Sequence, residues 1–202
     1  MSQYQQTGTG RGTPLAAAPA APAGQGQDRA PHERPRDPDT KIGTPMDDTA
    51  ASTDRIERRV VIDAPRERVW RALANAETFG EWFGANLKGQ RFAAGERARG
   101  QLTFKGYEHV WFDIVVERIE PQNLLSYRWH PYAVDPAVNY DGEEPTLVTF
   151  TLSDASGAGT LLTVVESGFD RVPPHRRLEA FRMNTRGWEA QLASIARYAS
   201  AA

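Results

Sequence analysis

Glu166 is the side chain of this sequence with the most chemistry to explain. It sits in the run Thr160–Ser167 (TLLTVVES), where alternation puts it on the same strand face as Leu162 and Val164. A carboxylate on an apolar face is costly unless it is paired, hydrogen-bonded or protonated. One reading makes Glu166 a polar anchor for a ligand, or a general acid–base with a raised pKa. The other makes it a rim carboxylate, paired with an arginine or open to water. Arg182 and Asn184, beside the apolar stripe of the C-terminal helix, are placed to reach inward and meet it, although an arginine off such a stripe is more often solvated. His109 and His130 are the histidines of the β region. Either could serve as a proton shuttle, and each also fits a hydrogen-bonded structural role at a strand end.

Several chemistries are excluded. The chain has no Cys, so it has no disulfide, thiol nucleophile, iron–sulfur site or cysteine zinc site. Its four histidines (32, 109, 130 and 175) show neither HxxxH nor HxH spacing, and no metal is expected. There is no phosphate-binding GxxxxGK[ST], no GxGxxG and no GxSxG elbow, so no cofactor is expected and no catalytic residue is assigned. Ser167 adjoins Glu166 but faces the opposite side of the strand, so the two make no dyad.

Aromatic residues supply the other candidates. Trp82 and Phe83 end a short helix. Val110, Phe112, Ile114 and Val116 share one strand face, as do Val148, Phe150 and Leu152. Trp129 lies on a strand, and Phe181 and Trp188 lie on the C-terminal helix. Such side chains line a pocket for a flat or apolar ligand, or fill a core. Trp82, Phe83, Phe112, Ile114, Trp129, Phe150, Glu166, Phe181, Arg182 and Trp188 are therefore the candidate cavity residues. Trp111 and Tyr127 are expected on the outside of the sheet, where exposed aromatics would mark a partner surface.

These residues need a frame. Ile56–Asp63 reads as a strand, with Asp63 as a plausible cap for the helix Arg66–Asn75, and a second short helix covers Glu77–Phe83. Five strands follow: Ala98–Lys105, Val110–Ile119, Leu124–His130, Thr146–Ser153 and Thr160–Ser167. Short turns at Pro121–Asn123 and Ser156–Gly159 make them an antiparallel meander. Tyr132–Pro145, with four acidic residues, reads as a long loop and a candidate lid. A helix over Pro174–Tyr198 carries the stripe Leu178, Phe181, Thr185, Trp188, Leu192, Ile195 and Ala199, with Arg176, Arg177, Arg186 and Arg197 off it and solvated. A one-sided sheet must be covered. This helix is the element long enough to do it, and the cavity is expected between the two.

All of this lies after residue 53. The 202-residue chain is 40% hydrophobic and 25% charged, with a net charge of −2, which gives no basic excess for nucleic acid. Residues 1–53 hold seven Pro, six Gly and a single aromatic, Tyr4, too little apolar surface to offset chain entropy. They are expected to be a disordered tail, with residues 54–202 as one domain. The tail has no apolar core of the kind a secretory signal needs. Translation from Met46 instead of Met1 would remove most of it, and both starts stay open. No apolar run reaches the roughly 20 residues of a membrane span, and a cytoplasmic location is expected.

The stretches IDAPRERVWRALANAETFGEWF (Ile62–Phe83), RIEPQNLLSYRW (Arg118–Trp129), TLVTFTL with GTLLTVVESGF (Thr146–Phe169) and NTRGWEAQLASIARY (Asn184–Tyr198) resemble the SRPBCC superfamily, the START-like or Bet v-type helix-grip proteins. Within it they are most similar to bacterial relatives of the heat-shock-protein-90 ATPase activator C-terminal domain. The resemblance implies an α+β helix-grip fold, a curved antiparallel sheet wrapped around a long C-terminal helix, with a deep apolar cavity. It implies binding of a hydrophobic small molecule such as a lipid, polyketide or aromatic compound, for sequestration, transport or sensing. The alternatives are a co-chaperone-like domain with a protein partner, or a cyclase- or hydrolase-like enzyme.

Overall fold

The computed structural model describes residues 54–201. The expectations for the tail, and the choice between Met1 and Met46, lie outside the described residues.

Strand β1 (Arg55–Ile62) leads into helices α1 (Arg66–Ala74) and α2 (Ala76–Phe83). Strands β2 (Arg97–Gln101), β3 (Trp111–Glu120), β4 (Leu124–Trp129), β5 (Thr146–Asp154) and β6 (Thr160–Ser167) follow, and the 28-residue helix α3 (Pro174–Ala201) closes the chain. The strands form one antiparallel sheet in the order β1–β6–β5–β4–β3–β2. Hence β1, first in sequence, is an edge strand beside β6. A register shift between Val116 and Arg118 bends β3 and adds to the curl of the sheet. This is the helix-grip architecture read from the sequence.

Alternation explains the inner face. Phe112, Ile114 and Val116 of β3, Val148, Phe150 and Leu152 of β5, and Leu162, Val164 and Glu166 of β6 are all buried. Phe79 of α2 is the hub of the aromatic core, with ring centroids 4.6 Å from Trp82, 5.2 Å from Phe83 and 5.4 Å from Phe112. Helix α3 is tied to α2 by polar bonds at the edge of this core. Ser194 Oγ donates to Trp82 O at 2.8 Å and Gln191 Nε2 to Phe83 O at 3.0 Å. The Trp82 indole N–H is spent on Ala72 O of α1, at 2.8 Å.

Several local expectations are corrected. Asp63 does not cap α1: Pro65 is the N-cap and no side chain bonds the helix start. Asn75 caps α2 instead, accepting from the Thr78 N–H at 3.0 Å. Strand β2 stops at Gln101, and Leu102 keeps only an isolated bridge to Ala85. Tyr127 is fully buried, not on the outer face, because it shares parity with Leu125 and Trp129 and pairs across to Val116 and Val148. Trp111 is 44% exposed, as its parity predicts. Leu178 is 50% exposed, and the buried line of α3 runs Ala180, Asn184, Trp188, Leu192, Ile195, Ala199.

Candidate functional site

The site is built where β4, β5 and β6 face the middle of α3. Trp129 stands opposite Thr146 across β4 and β5, and Val148, two residues further along β5, stands opposite Glu166 of β6. Three adjacent strands thereby bring an indole, a hydroxyl and a carboxylate to one patch of the inner face. Asn184 and Trp188, one turn apart on α3, descend onto it.

Glu166 is fully buried and has no cationic partner among the described residues; neutral donors surround it instead. Its Oε1 accepts from Trp129 Nε1 at 2.7 Å, Thr146 Oγ1 at 2.7 Å and Asn184 Nδ2 at 3.0 Å. Its Oε2 accepts from Asn184 Nδ2 at 3.0 Å and Trp188 Nε1 at 2.6 Å. An indole N–H and an amide NH2 can only donate, so this shell suits an acceptor-only carboxylate. Burial holds the carboxyl above its ordinary range, and the four donor groups pull it partly back. Neither a rim carboxylate nor an arginine pair describes Glu166.

A cavity of about 180 Å³ opens on the other side of these donors. Trp129, Asn184 and Trp188 line it, together with Phe83 and Phe112, while Glu166 lies behind them. The carboxylate therefore orients the cavity wall without forming its surface. Four of the ten candidate residues line the cavity: Phe83, Phe112, Trp129 and Trp188. Trp82, Ile114 and Phe150 are buried in the core away from it, and Phe181 packs on Phe169 with ring centroids 5.2 Å apart. Arg182 is exposed on the outer side of α3, which corrects its placement in the cavity; the neighbouring Asn184 makes the contact with Glu166.

Other lining residues lie outside the ten cavity candidates, among them His130. Gly187 of α3 lines the cavity, and a Cβ added there would meet nothing within 4 Å. Arg186 lies beside it at the exposed rim. Tyr132, Ala133 and Val134 bring the long loop into the wall. Arg176 fastens that loop. Its Nε lies 3.0 and 2.9 Å from the two Glu143 oxygens, its Nη1 donates to Pro131 O at 2.8 Å, and its guanidinium carbon lies 4.8 Å from the Tyr140 ring centre. Its side chain is only 12% exposed, which corrects the expectation that it is solvated. His130 Nε2 lies 3.1 Å from Glu143 O in the same fastening, and His109 stacks on Tyr107. Among the described residues, no group of three or more His, Asp or Glu side chains is arranged to hold a metal ion.

A family model, Activator of Hsp90 ATPase homolog 1-like protein, matches residues 63–200. The chain belongs to this family. Among solved structures, protein MLL2253 from Mesorhizobium loti is similar at 27% identity, over 71% of this chain and 94% of its own, with a TM-score of 0.54. DynU16, a protein of the dynemicin biosynthetic locus, is 26% identical over 72% of this chain, which spans 46% of DynU16, with a TM-score of 0.54. The Aha1 dimer from Colwellia psychrerythraea shares the fold at 16% identity, over 70% of this chain and 92% of its own, with a TM-score of 0.51. Comparison with curated proteins finds no match. Within the family's fold, this member places an open aromatic cavity against a buried carboxylate. Among the described residues, no helix is long and apolar enough to cross a membrane.

Proposed function

We propose that this domain binds a small hydrophobic molecule in the cavity between α3 and the open end of the sheet. Gly187 carries the reading. A glycine in a helix interior costs about 1 kcal/mol relative to alanine. Here it stands at the cavity wall with open space in front of it, so no close contact explains the missing side chain. Its absence keeps the cavity free. The wall opposite is aromatic, and the Trp129 and Trp188 N–H groups are turned away toward Glu166, leaving their ring faces for an apolar body. DynU16, similar at 26% identity, comes from the dynemicin biosynthetic locus, a setting that suits this reading. The cysteine-free chain needs no oxidising compartment, and the cytoplasm is the location we propose.

Glu166 does not support an acid–base enzyme, because its oxygens are occupied by donors and lie behind the wall. A protein-interaction role has one observation in its favour: Val115 is 45% exposed on the outer face of β3, near Trp111, which is 44% exposed and also borders the cavity. Native mass spectrometry of protein purified from its own host, followed by organic extraction, tests the main reading. A stoichiometric apolar molecule supports it. Empty protein that also fails to take up added apolar probes contradicts it, and a partner captured by wild type but lost in Val115→Asp would favour the second reading.

A further inference from the structure

We propose that the cavity selects an amphipathic anion, a carboxylate on an apolar aromatic body, with its charged group at Arg186. This rests on the cavity-binding reading and names the ligand class for it.

The lining has one permanent cation, Arg186, and no carboxylate. Arg186 makes no hydrogen bond or ion pair among the described residues, unlike most arginines of this domain. Glu189, on the next turn of α3, does not neutralise it, because Glu189 pairs with Arg58 of β1 at 3.1 Å. A free guanidinium at the edge of an apolar chamber presents a planar fork of donors that fits a carboxylate.

The inner end of the chamber sets the opposite preference. The acceptor oxygens of Glu166 lie behind Trp129 and Trp188, and its hydrogen bonds remove their N–H groups from the cavity surface. Asn184 gives its NH2 to Glu166 as well, so the polar atom it has left is an acceptor oxygen. The inner wall thus offers an anion only ring faces and an acceptor oxygen, with no donor left to receive it, and the rim offers a free cation. A bound anion is oriented with its body inward and its charge at Arg186.

The test is a titration of the full chain with two probes of one shape, 2-naphthoate and neutral 2-naphthamide, followed by tryptophan fluorescence and calorimetry. Wild type should bind naphthoate about five- to tenfold more tightly, the range expected for a partly exposed charge-assisted contact, with the gap narrowing at high salt. Arg186→Gln should bring the two probes within about twofold while leaving naphthamide affinity unchanged, and Arg186→Lys should keep part of the preference. Arg186 is exposed and unbonded, so unchanged thermal melts should accompany both variants. Equal binding of the two probes by wild type, or a preference that survives Arg186→Gln, overturns the anion assignment and leaves the cavity reading standing. Binding of neither probe overturns both.

Discussion

Gly80 and Gly187 occupy helices on either side of one interior, and an added methyl group would meet opposite surroundings. At Gly80, in α2, a Cβ would lie 2.3 Å from the Ala85 carbonyl oxygen. The chain doubles back there after α2, and only glycine lets the two backbones approach. At Gly187, in α3, the same Cβ would meet nothing within 4 Å. The two glycines mark a packed end, where Phe79 packs on Trp82 and Phe92, and an open end, where Phe83, Phe112, Trp129 and Trp188 surround space. A glycine enforced by contact is structural. A glycine facing a void, at a cost in helix propensity, points to something that fills the void.

The comparison breaks most readily at Glu166, which holds the wall of the open end through Trp129, Asn184 and Trp188. Glu166→Ala should cost about 4–5 kcal/mol, since four buried donor groups lose their acceptor at about 1–3 kcal/mol each before relaxation. Denaturant unfolding checks this, and a loss below about 1 kcal/mol would mean the donors find other partners. Gly80→Ala should destabilise by about 1–3 kcal/mol despite the better helix former, because backbone must move to admit the methyl group. A stabilised Gly80→Ala would show that the α2 turn is not tightly packed.

A pH series sharpens the role of Glu166. Burial raises its carboxyl above the ordinary glutamate value of 4.5, so the folded state holds the proton more tightly than the unfolded chain. The associated stability is fully present below the unfolded pKa and is lost as pH rises through the folded one. Measured against Glu166→Gln, which does not titrate there, wild type should lose relative stability as pH climbs from 4.5 and then level off. A difference that grows with pH would reverse the assignment. The smallest expected effect is at the packed end, where the buried Tyr127 hydroxyl has no hydrogen-bond partner in the structure. Tyr127→Phe should leave stability unchanged or raise it by about 1 kcal/mol. A clear loss on melting would reveal a bond the hydroxyl makes in solution.

Much of the frame was legible because strands repeat every two residues. The parity of Leu162, Val164 and Glu166 placed the carboxylate inward before any tertiary contact was known. For Tyr127 the expected outer position fails because it shares parity with Leu125 and Trp129 and pairs with the inward-facing Val116 and Val148. The α3 stripe failed at its start for a geometric reason. Leu178 lies three heptads before Ala199, and a seven-residue repeat drifts about 20° per heptad on a straight helix, roughly 60° in all. Arg176 lies off the α3 stripe, but its side chain is largely buried because its partner, Glu143, sits 33 residues upstream on the long loop, beyond the reach of local sequence. Asn184 was legible as a candidate for Glu166, but its choice over Arg182 depends on the rotation of α3. The void before Gly187 leaves no trace in local sequence, because it is a property of what the other elements fail to fill.

The most direct measurement is a 2-naphthoate titration of wild type and Gly187→Leu, paired with melting curves. Leucine gains up to about 1 kcal/mol of helix propensity and places its side chain in the cavity. Saturable binding by wild type, with binding abolished in a Gly187→Leu variant that melts no lower, is the predicted result. Undiminished binding in the plugged variant would contradict the claim that this cavity is the ligand site.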